Sequence, residues 1–341
     1  MTTRNRRIVL ASRPDGAVTP DNFRFETVDV PEPAEGQVLV RVHYLSLDPY
    51  MRGRMNDGRS YANPQALDET MVGGTVGEVI ASRDPGFAVG DKVVGNLGWQ
   101  EYGVADAKIL QKVDDSRVPL SAFLGPAGMP GVTAWYGYRK IIAPKAGETV
   151  VVSAASGAVG SVVGQLAKAD GMRAVGIAGG PEKCDYVVRE LGFDACVDYK
   201  AAQTPKELAR LIKEATPDGV DGYFENVGGD ILNTVLGRLN TFARVAVCGL
   251  ISDYNNKPGE AAKSAIQNPV MFLVARFRME GFIVSDHLDI WPEAVRELTG
   301  LLAEGRLKYR ESIAEGLDAT PEAFIGLLAG RNFGKQLVRL V

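Results

Sequence analysis

The sequence predicts an α/β chain in which a doubly wound parallel sheet lies between two segments of all-β texture, and three observations carry this reading. The run Val150 to Lys168 opens apolar and β-branched, breaks at small residues, and resumes with helical spacing. From Arg173 to Cys248, Val- and Ile-rich runs alternate with amphipathic helical stretches, the pattern of a sheet covered on both faces. The first third and the C-terminal tail instead carry short alternating runs punctuated by Pro and Gly.

In chain order, Ile8-Val9-Leu10 opens a strand, and Gln37–Val42 and Thr75–Ile80 follow as strands, with Pro31, Pro33, Gly86 and Gly90 as punctuation. Val150–Val152 reads as a buried strand, Ser153–Val159 as a tight turn, and Gly160–Lys168 as a helix. Arg173–Ala178 is the second strand of this unit, Gly179-Gly180-Pro181 a turn, and Glu182 to about Leu191 a helix. Ala195–Asp198, Gly222–Glu225 and Ala243–Cys248 read as the third to fifth strands, with Pro205–Thr216 helical between them. Met279–Val284 is the last strand of this Rossmann-type unit, and Lys308–Glu311 and Lys335–Leu340 are strand-like again. The parts assemble as residues 1–127, 128–303 and 304–341, the last returning to the first, with a ligand cleft expected between the two domains.

The turn after Val152 has the size and chemistry for a dinucleotide pyrophosphate. Gly157 and Gly160 lack a Cβ, so backbone N–H groups and the helix dipole stay accessible to an anion. The motif is Ala155-x-Gly157-x-x-Gly160, with alanine in the place of the first glycine, and a tight turn without ligand is the alternative. At the end of the second strand, where NAD enzymes place a carboxylate for the ribose, stand Ala178-Gly179-Gly180. Lys183 lies one turn into the next helix; it either meets a 2′-phosphate or solvates a helix face, with Glu182 opposing the first role. NADP is thereby favoured over NAD.

Composition narrows the rest. With 341 residues, a net charge of −4 and an isoelectric point near 5.5, the chain has room for two cores and no basic field for nucleic acid. Cys184, Cys196 and Cys248 are too few for a disulfide framework, which fits a reducing cytoplasm. After the basic start Met1–Arg7 only Ile8–Ala11 is apolar, too short for a signal-peptide core. The longest apolar stretch, Val270–Ala275, is far below a membrane span.

Gly86–Val93 and Ala155–Gly164 resemble the turn-and-strand element and the cofactor turn of medium-chain dehydrogenase/reductases. Leu47–Arg52, Glu225–Gly229, Cys248–Asn255 and Gly330–Lys335 are similar to the zinc-free prostaglandin reductase and curcumin reductase branch of that family. The resemblance covers almost the whole chain. It implies a GroES-like β-barrel domain beside the Rossmann-type one. It also implies cofactor contacts at Ala158, Val159, Gly160 and Ser161 around the pyrophosphate and at Gly179, Lys183 and Tyr199 around the adenosine phosphate. Asn226, Cys248, Gly249 and Ser252 would line the nicotinamide side, Phe282, Ile283 and Val284 would lie beside the ring, and Asn332 would reach back from the C-terminal segment. An edge strand in this family commonly pairs with a second subunit, so the resemblance also implies a homodimer, which an apolar edge at Met279–Val284 favours.

Zinc alcohol dehydrogenases need a catalytic Cys/His set. This chain has only His43 and His287 and no cysteine before Cys184, so no metal is expected, and both histidines are read as structural. Without a Lewis acid, a conjugated enone is an easier hydride acceptor than a plain carbonyl, because charge collects on an oxygen that hydroxyl donors can stabilise. The resemblance points to Tyr254, Tyr50 and Tyr61 as those donors, with Tyr254 first because it follows the carboxyl end of the fifth strand. Tyr50 is equally a packing aromatic beside Pro49, Tyr61 a loop residue, Arg52 a substrate contact or a loop anchor, and Cys248 a small buried residue rather than a nucleophile. The expected activity is NADPH-dependent reduction of the C=C bond of α,β-unsaturated ketones or aldehydes, Tyr254 also touching cofactor. The alternatives are an NADPH-dependent quinone reductase and a non-catalytic NADPH-binding protein.

Overall fold

The computed structural model describes residues 4–58, 60–257 and 259–341; Met1–Thr3 of the basic start, Arg59 of the Tyr61 loop and Pro258 lie outside the described residues. The chain divides into two compact units, one comprising the residues up to Leu124 together with Glu311–Val341, the other Gly125–Arg310.

The second unit is built on a parallel sheet. Among the described residues six strands stand in the order Ala195–Asp198, Arg173–Ala178, Thr149–Ser153, Val220–Glu225, Leu239–Val247, Arg278–Gly281. All five neighbouring pairs are parallel. Every residue of Thr149–Ser153 is buried, and its side chains alternate between two cores. Val150 and Val152 pack with Val162, Val163, Leu166 and Ala294, whereas Val151 packs with Leu208, Ile212, Leu232 and Val235. Helices therefore cover both faces, and each fully buried valine contributes on the order of 1.5–3 kcal/mol. The predicted doubly wound sheet is the observed one, with helices at Gly160–Ala169, Pro181–Arg189 and Pro205–Ala215.

In this order successive strands run outward from Thr149–Ser153 in one direction and from Val220–Glu225 in the other. The carboxyl ends of those two neighbours flank the point where the winding reverses, the usual ligand position in such sheets. The unit extends through Arg310 because Leu307 is in its core and Gln165 exchanges two 2.8 Å hydrogen bonds with the main chain of Lys308.

The first unit is barrel-like and mostly antiparallel. One sheet orders Glu311–Glu315, Lys335–Arg339, Gln37–Ser46, Thr75–Ser82, Lys92–Gly95 and Gln111–Lys112, and Tyr102–Asp106 also pairs with Gln37–Ser46. Three strand expectations need correcting: the strand expected at Met279–Val284 is Arg278–Gly281, because its pairing with Leu239–Val247 stops at Gly281, and two more lie in the first unit. Ile8–Leu10 closes the strand Arg4–Leu10 rather than opening one, because Arg4–Arg7 pair with Glu26–Asp29 despite their charge. The strand expected at Lys308–Glu311 is Glu311–Glu315, its register set by pairing with Lys335–Arg339.

Candidate active site

The strand Val220–Glu225 is apolar along its buried length and then ends in a carboxylic acid with no solvent exposure. A charge in such a place is costly unless hydrogen bonds surround it, and here they do. Glu225 accepts from the main-chain N–H groups of Val227 and, at 2.6 Å, Gly228, from the Ser153 hydroxyl at 3.3 Å, and from the Tyr223 phenol. Burial pushes its pKa up to about 7, opposed by the Gly228 and Val227 N–H groups and the Ser153 hydroxyl. Its carbonyl accepts the N–H groups of Cys248 at 2.8 Å and Gly249 at 3.2 Å. Asn226 bridges to the neighbouring strand end, donating its main-chain N–H to Ser153 Oγ at 2.8 Å and its side-chain amide to the Ser153 carbonyl at 2.7 Å. The two loops at the winding reversal are thus fixed to one buried acid.

The turn leaving Ser153 passes through Ala154 at φ 50°, and the buried Ala155 takes the place of a first glycine. Room for its methyl comes from across the sheet, where a Cβ on Gly176 would lie 2.8 Å from it. A Cβ on Gly160 would meet the Ala154 carbonyl oxygen at 2.5 Å, so only glycine lets the helix start so close to the turn. Ala158 and Val159 form the half-exposed lip, Ser161 is buried behind it, and Val159 provides no side-chain cap to the helix. Uncapped N–H groups at a helix N-terminus suit an anion.

At the end of Arg173–Ala178 the chain turns through Gly179 and Gly180, the latter at φ 99°. Asp198, on the adjacent strand, accepts from Gly180 N–H at 2.7 Å and Lys200 N–H at 3.0 Å, so the carboxylate near this turn organises main chain. A Cβ on Gly179 would lie 2.9 Å from Tyr199 Cε1 and 3.0 Å from Lys200 Cε, which places both side chains against the turn. Burial and the neighbouring Lys200 ammonium hold the Lys183 pKa below its ordinary value, with Glu182 opposing. Lys183 and Lys200 thus place two mutually repelling cations near the glycine turn; Lys183 was expected there from the sequence, and Lys200 was not.

A cavity of about 480 Å³ opens at the carboxyl ends of the last two strands, lined by Cys248, Gly249, Leu250, Tyr254, Phe282, Ile283 and His287 among others. Tyr254 is placed by the short helix Ile251–Asp253, and its hydroxyl lies 3.0 Å from where a Cβ on Gly249 would be. Asp253 fixes the following loop by accepting from Asn256 at 2.8 Å and from the main-chain N–H groups of Lys263 and Ser264 at 2.6 and 3.0 Å. One wall is aromatic: His287 stacks on Tyr136 at 4.1 Å, and Tyr136 meets Phe282 at 5.4 Å. His287, expected to be merely structural, therefore faces the cavity. Cys248 has its thiol pushed up to about 12 by burial and by Glu225. Asn226 and Ser252 stand behind the lining, Ser252 Oγ 2.8 Å from a Cβ on Gly228, and Val284 is buried in the core.

Tyr50, Tyr61 and Asn332 belong to the first unit. Burial raises the Tyr50 phenol, with Asp48 and Tyr61 adding to it, while Tyr61 is 60% exposed. Arg52 is an anchor: its buried guanidinium donates to the Gly16 carbonyl at 2.7 Å and to Asn56 at 2.6 Å. Asn332 donates to the Gly334 carbonyl at 2.8 Å. Next to it Lys335, 3% exposed, donates to Asp48 and to the Leu47 carbonyl, both at 2.8 Å. This buried ion pair joins the segments Leu47–Arg52 and Gly330–Lys335. His43 lies 4.0 Å from Glu78, its pKa lowered by burial and then by Lys92. Among the described residues no three His, Cys, Asp or Glu side chains group as a metal site would require.

Comparison with known proteins matches residues 6–113 to the N-terminal domain of oxidoreductase and residues 158–300 to zinc-binding dehydrogenase. The chain is 48% identical over 341 residues to NADPH-dependent curcumin reductase of Escherichia coli, covering 99% of this chain and 97% of that one. It is 41% identical over 341 residues to 2-alkenal reductase (NADP(+)-dependent) of Nicotiana tabacum, covering 98% and 97%. The crystal structure of CurA in complex with NADPH from Vibrio vulnificus matches with a TM-score of 0.91 at 47% identity, covering 98% and 99%.

Proposed function

Because this chain belongs to the medium-chain dehydrogenase/reductase family, we propose that it reduces the activated C=C bond of α,β-unsaturated ketones and aldehydes, without a metal, using NADPH. It is an NADP-dependent oxidoreductase. The observation that carries the proposal is the Tyr254 phenol, which stands beside Gly249 in the lining of a cavity at the carboxyl end of the sheet.

The residues fit the cofactor. Gly157, Ala158, Val159 and Gly160 would hold the pyrophosphate at the helix start, with Ser161 behind them; Gly179, Lys183, Tyr199 and Lys200 would hold the adenosine phosphate. Cys248, Gly249, Phe282 and Ile283 would border the nicotinamide, backed by Asn226, Ser252 and Val284, and Asn332 remains an expected contact. NADPH, when bound, supplies the hydride that reaches the β-carbon of the substrate. Negative charge then collects on the substrate carbonyl oxygen, where Tyr254 donates a hydrogen bond; Tyr50 and Tyr61, on the first unit, are the further hydroxyl donors that the resemblance implies. A proton added at the α-carbon completes the saturated ketone. The supply of only two histidines, with no cysteine before Cys184, supports chemistry without zinc.

The test is NADPH consumption, with NADH as control, against a linear enone, an enal, a diarylheptanoid dienone and a quinone. Turnover of the enones with NADPH preferred supports the proposal, and turnover of the quinone alone refutes it. Lys183→Ala should raise the KM for NADPH by about 10- to 100-fold, the worth of one charged hydrogen bond or slightly more, and leave the KM for NADH unchanged. Initial-rate kinetics with both cofactors check this.

Among the described residues the strand Arg278–Gly281 pairs on one side only, with Leu239–Val247, and ends the sheet, so its other edge is offered to a second copy. The protein is read as a homodimer on that ground. No described helix is long and apolar enough to cross a membrane, and the three free cysteines fit a reducing cytoplasm.

A further inference from the structure

Two of the three cysteines, twelve positions apart in sequence, touch in space. Cys184 lies in the helix Pro181–Arg189 and Cys196 in the strand Ala195–Asp198, and Cys196 Sγ donates to Cys184 Sγ at 3.1 Å. Both are half-buried free thiols. We infer that Cys184 and Cys196 form a peroxide-sensitive dithiol that closes to a disulfide and, by moving Lys183, weakens NADPH binding.

Geometry supplies the first argument. A disulfide needs its sulfurs at about 2.04 Å, so closure asks for a shift on the order of 1 Å between one helix and one strand. Polarisation supplies the second. The Cys196 thiol, donating to Cys184, lowers the Cys184 pKa, and the same contact raises that of Cys196. Cys184 is accordingly the attacking thiolate and Cys196 the resolving thiol. Cys248, raised to about 12 by burial and by Glu225, is an internal control.

Position gives the site its consequence. Lys183 adjoins Cys184 in the chain, and Lys200 follows Cys196 by four residues, so a bond between the two sulfurs links the helix that carries Lys183 to the strand that leads into Lys200. The chemistry balances with hydrogen peroxide as oxidant. The Cys184 thiol gives up its proton, the thiolate attacks one peroxide oxygen, the O–O bond breaks, the leaving hydroxide takes up that proton as water, and Cys184 becomes a sulfenic acid. The Cys196 sulfur then attacks the Cys184 sulfur, the S–O bond breaks, and the oxygen leaves as water with the thiol proton. Two thiols are oxidised to one disulfide, and one peroxide is reduced to two waters.

The effect on NADPH rests on the phosphate role given to Lys183 above, whereas the disulfide itself does not. The full-length protein is reduced, desalted, exposed to hydrogen peroxide, quenched with catalase, alkylated, and mapped by mass spectrometry without reductant. The expected result is a Cys184–Cys196 linked peptide pair two hydrogens lighter than the separate peptides, reversed by dithiothreitol, with Cys248 alkylated. C184S and C196S should each abolish the link, and C248S should retain it. The KM for NADPH should rise by about tenfold on oxidation, as for loss of one charged hydrogen bond, recover with dithiothreitol, and stay constant in peroxide-treated C184S. Peroxide that leaves both thiols alkylatable, or stops at a sulfinic acid on Cys184, overturns the dithiol. A mapped disulfide with an unchanged KM overturns its action on Lys183. A reduced enzyme showing no preference for NADPH over NADH counts against the Lys183 phosphate reading alone, because the peptide map does not depend on it.

Discussion

Tyr254→Phe is expected to lower kcat by about 10²–10⁴-fold, the usual worth of a positioned proton donor, while the KM for NADPH stays unchanged. The hydroxyl is the only atom removed, and the ring continues to fill the wall beside Leu250 and Ile283. A second substitution separates chemistry from packing. Gly249→Ala puts a methyl 3.0 Å from the Tyr254 oxygen, tighter than ordinary van der Waals contact, so the phenol must shift. It should lower kcat in the wild-type background, and the part of that loss that comes from the displaced phenol should vanish in the Tyr254→Phe background, because two changes acting through one group are not additive. Steady-state kinetics of the two single variants and the double variant check this; equal turnover by Tyr254→Phe would remove the phenol from the mechanism.

Glu225→Ala should cost stability on the order of 3–5 kcal/mol, because the Val227 and Gly228 N–H groups and the Ser153 and Tyr223 hydroxyls each lose a buried acceptor at about 1–3 kcal/mol apiece, partly relieved by local rearrangement. Glu225→Gln keeps an oxygen for the N–H groups and isolates the proton. With its pKa raised from 4.5 to about 7, the folded protein holds a proton that the unfolded chain releases. The stabilisation from this group is therefore complete below about pH 4.5, declines as pH rises through about 7, and is level above that, a span on the order of 3 kcal/mol. Urea unfolding of wild type and Glu225→Gln at intervals from pH 5 to 8 should show their stability difference changing with this sign. A difference independent of pH would mean that Glu225 is ionised throughout.

The parallel sheet was legible because its strands are buried on both faces and read as continuous apolar runs, Val150–Val152 above all. The glycine turn and Lys183 were legible for the same reason: local backbone needs and spacing are written in adjacent residues. What escaped reading depends on contacts between distant segments. Lys200 reaches the Lys183 side only because Ala195–Asp198 pairs with Arg173–Ala178. The Lys335–Asp48 pair spans 287 positions, and no local pattern announces it. Glu225 did leave a signal, an acid directly after Tyr223 and Phe224 with the two glycines Gly228 and Gly229 following, but its role as an acceptor appears only once the Val227 and Gly228 N–H groups turn back upon it. His287 looked structural because a lone histidine in a polar stretch has no partner in sequence; its partner is Tyr136, at the end of the helix Met129–Tyr136.

The most direct measurement of the reaction is the fate of the hydride. The enzyme is supplied with NADPH deuterated at the transferred position and a linear enone, and the product is analysed by NMR. The account predicts a saturated ketone with deuterium on the carbon β to the carbonyl. An allylic alcohol with deuterium on the former carbonyl carbon would contradict it.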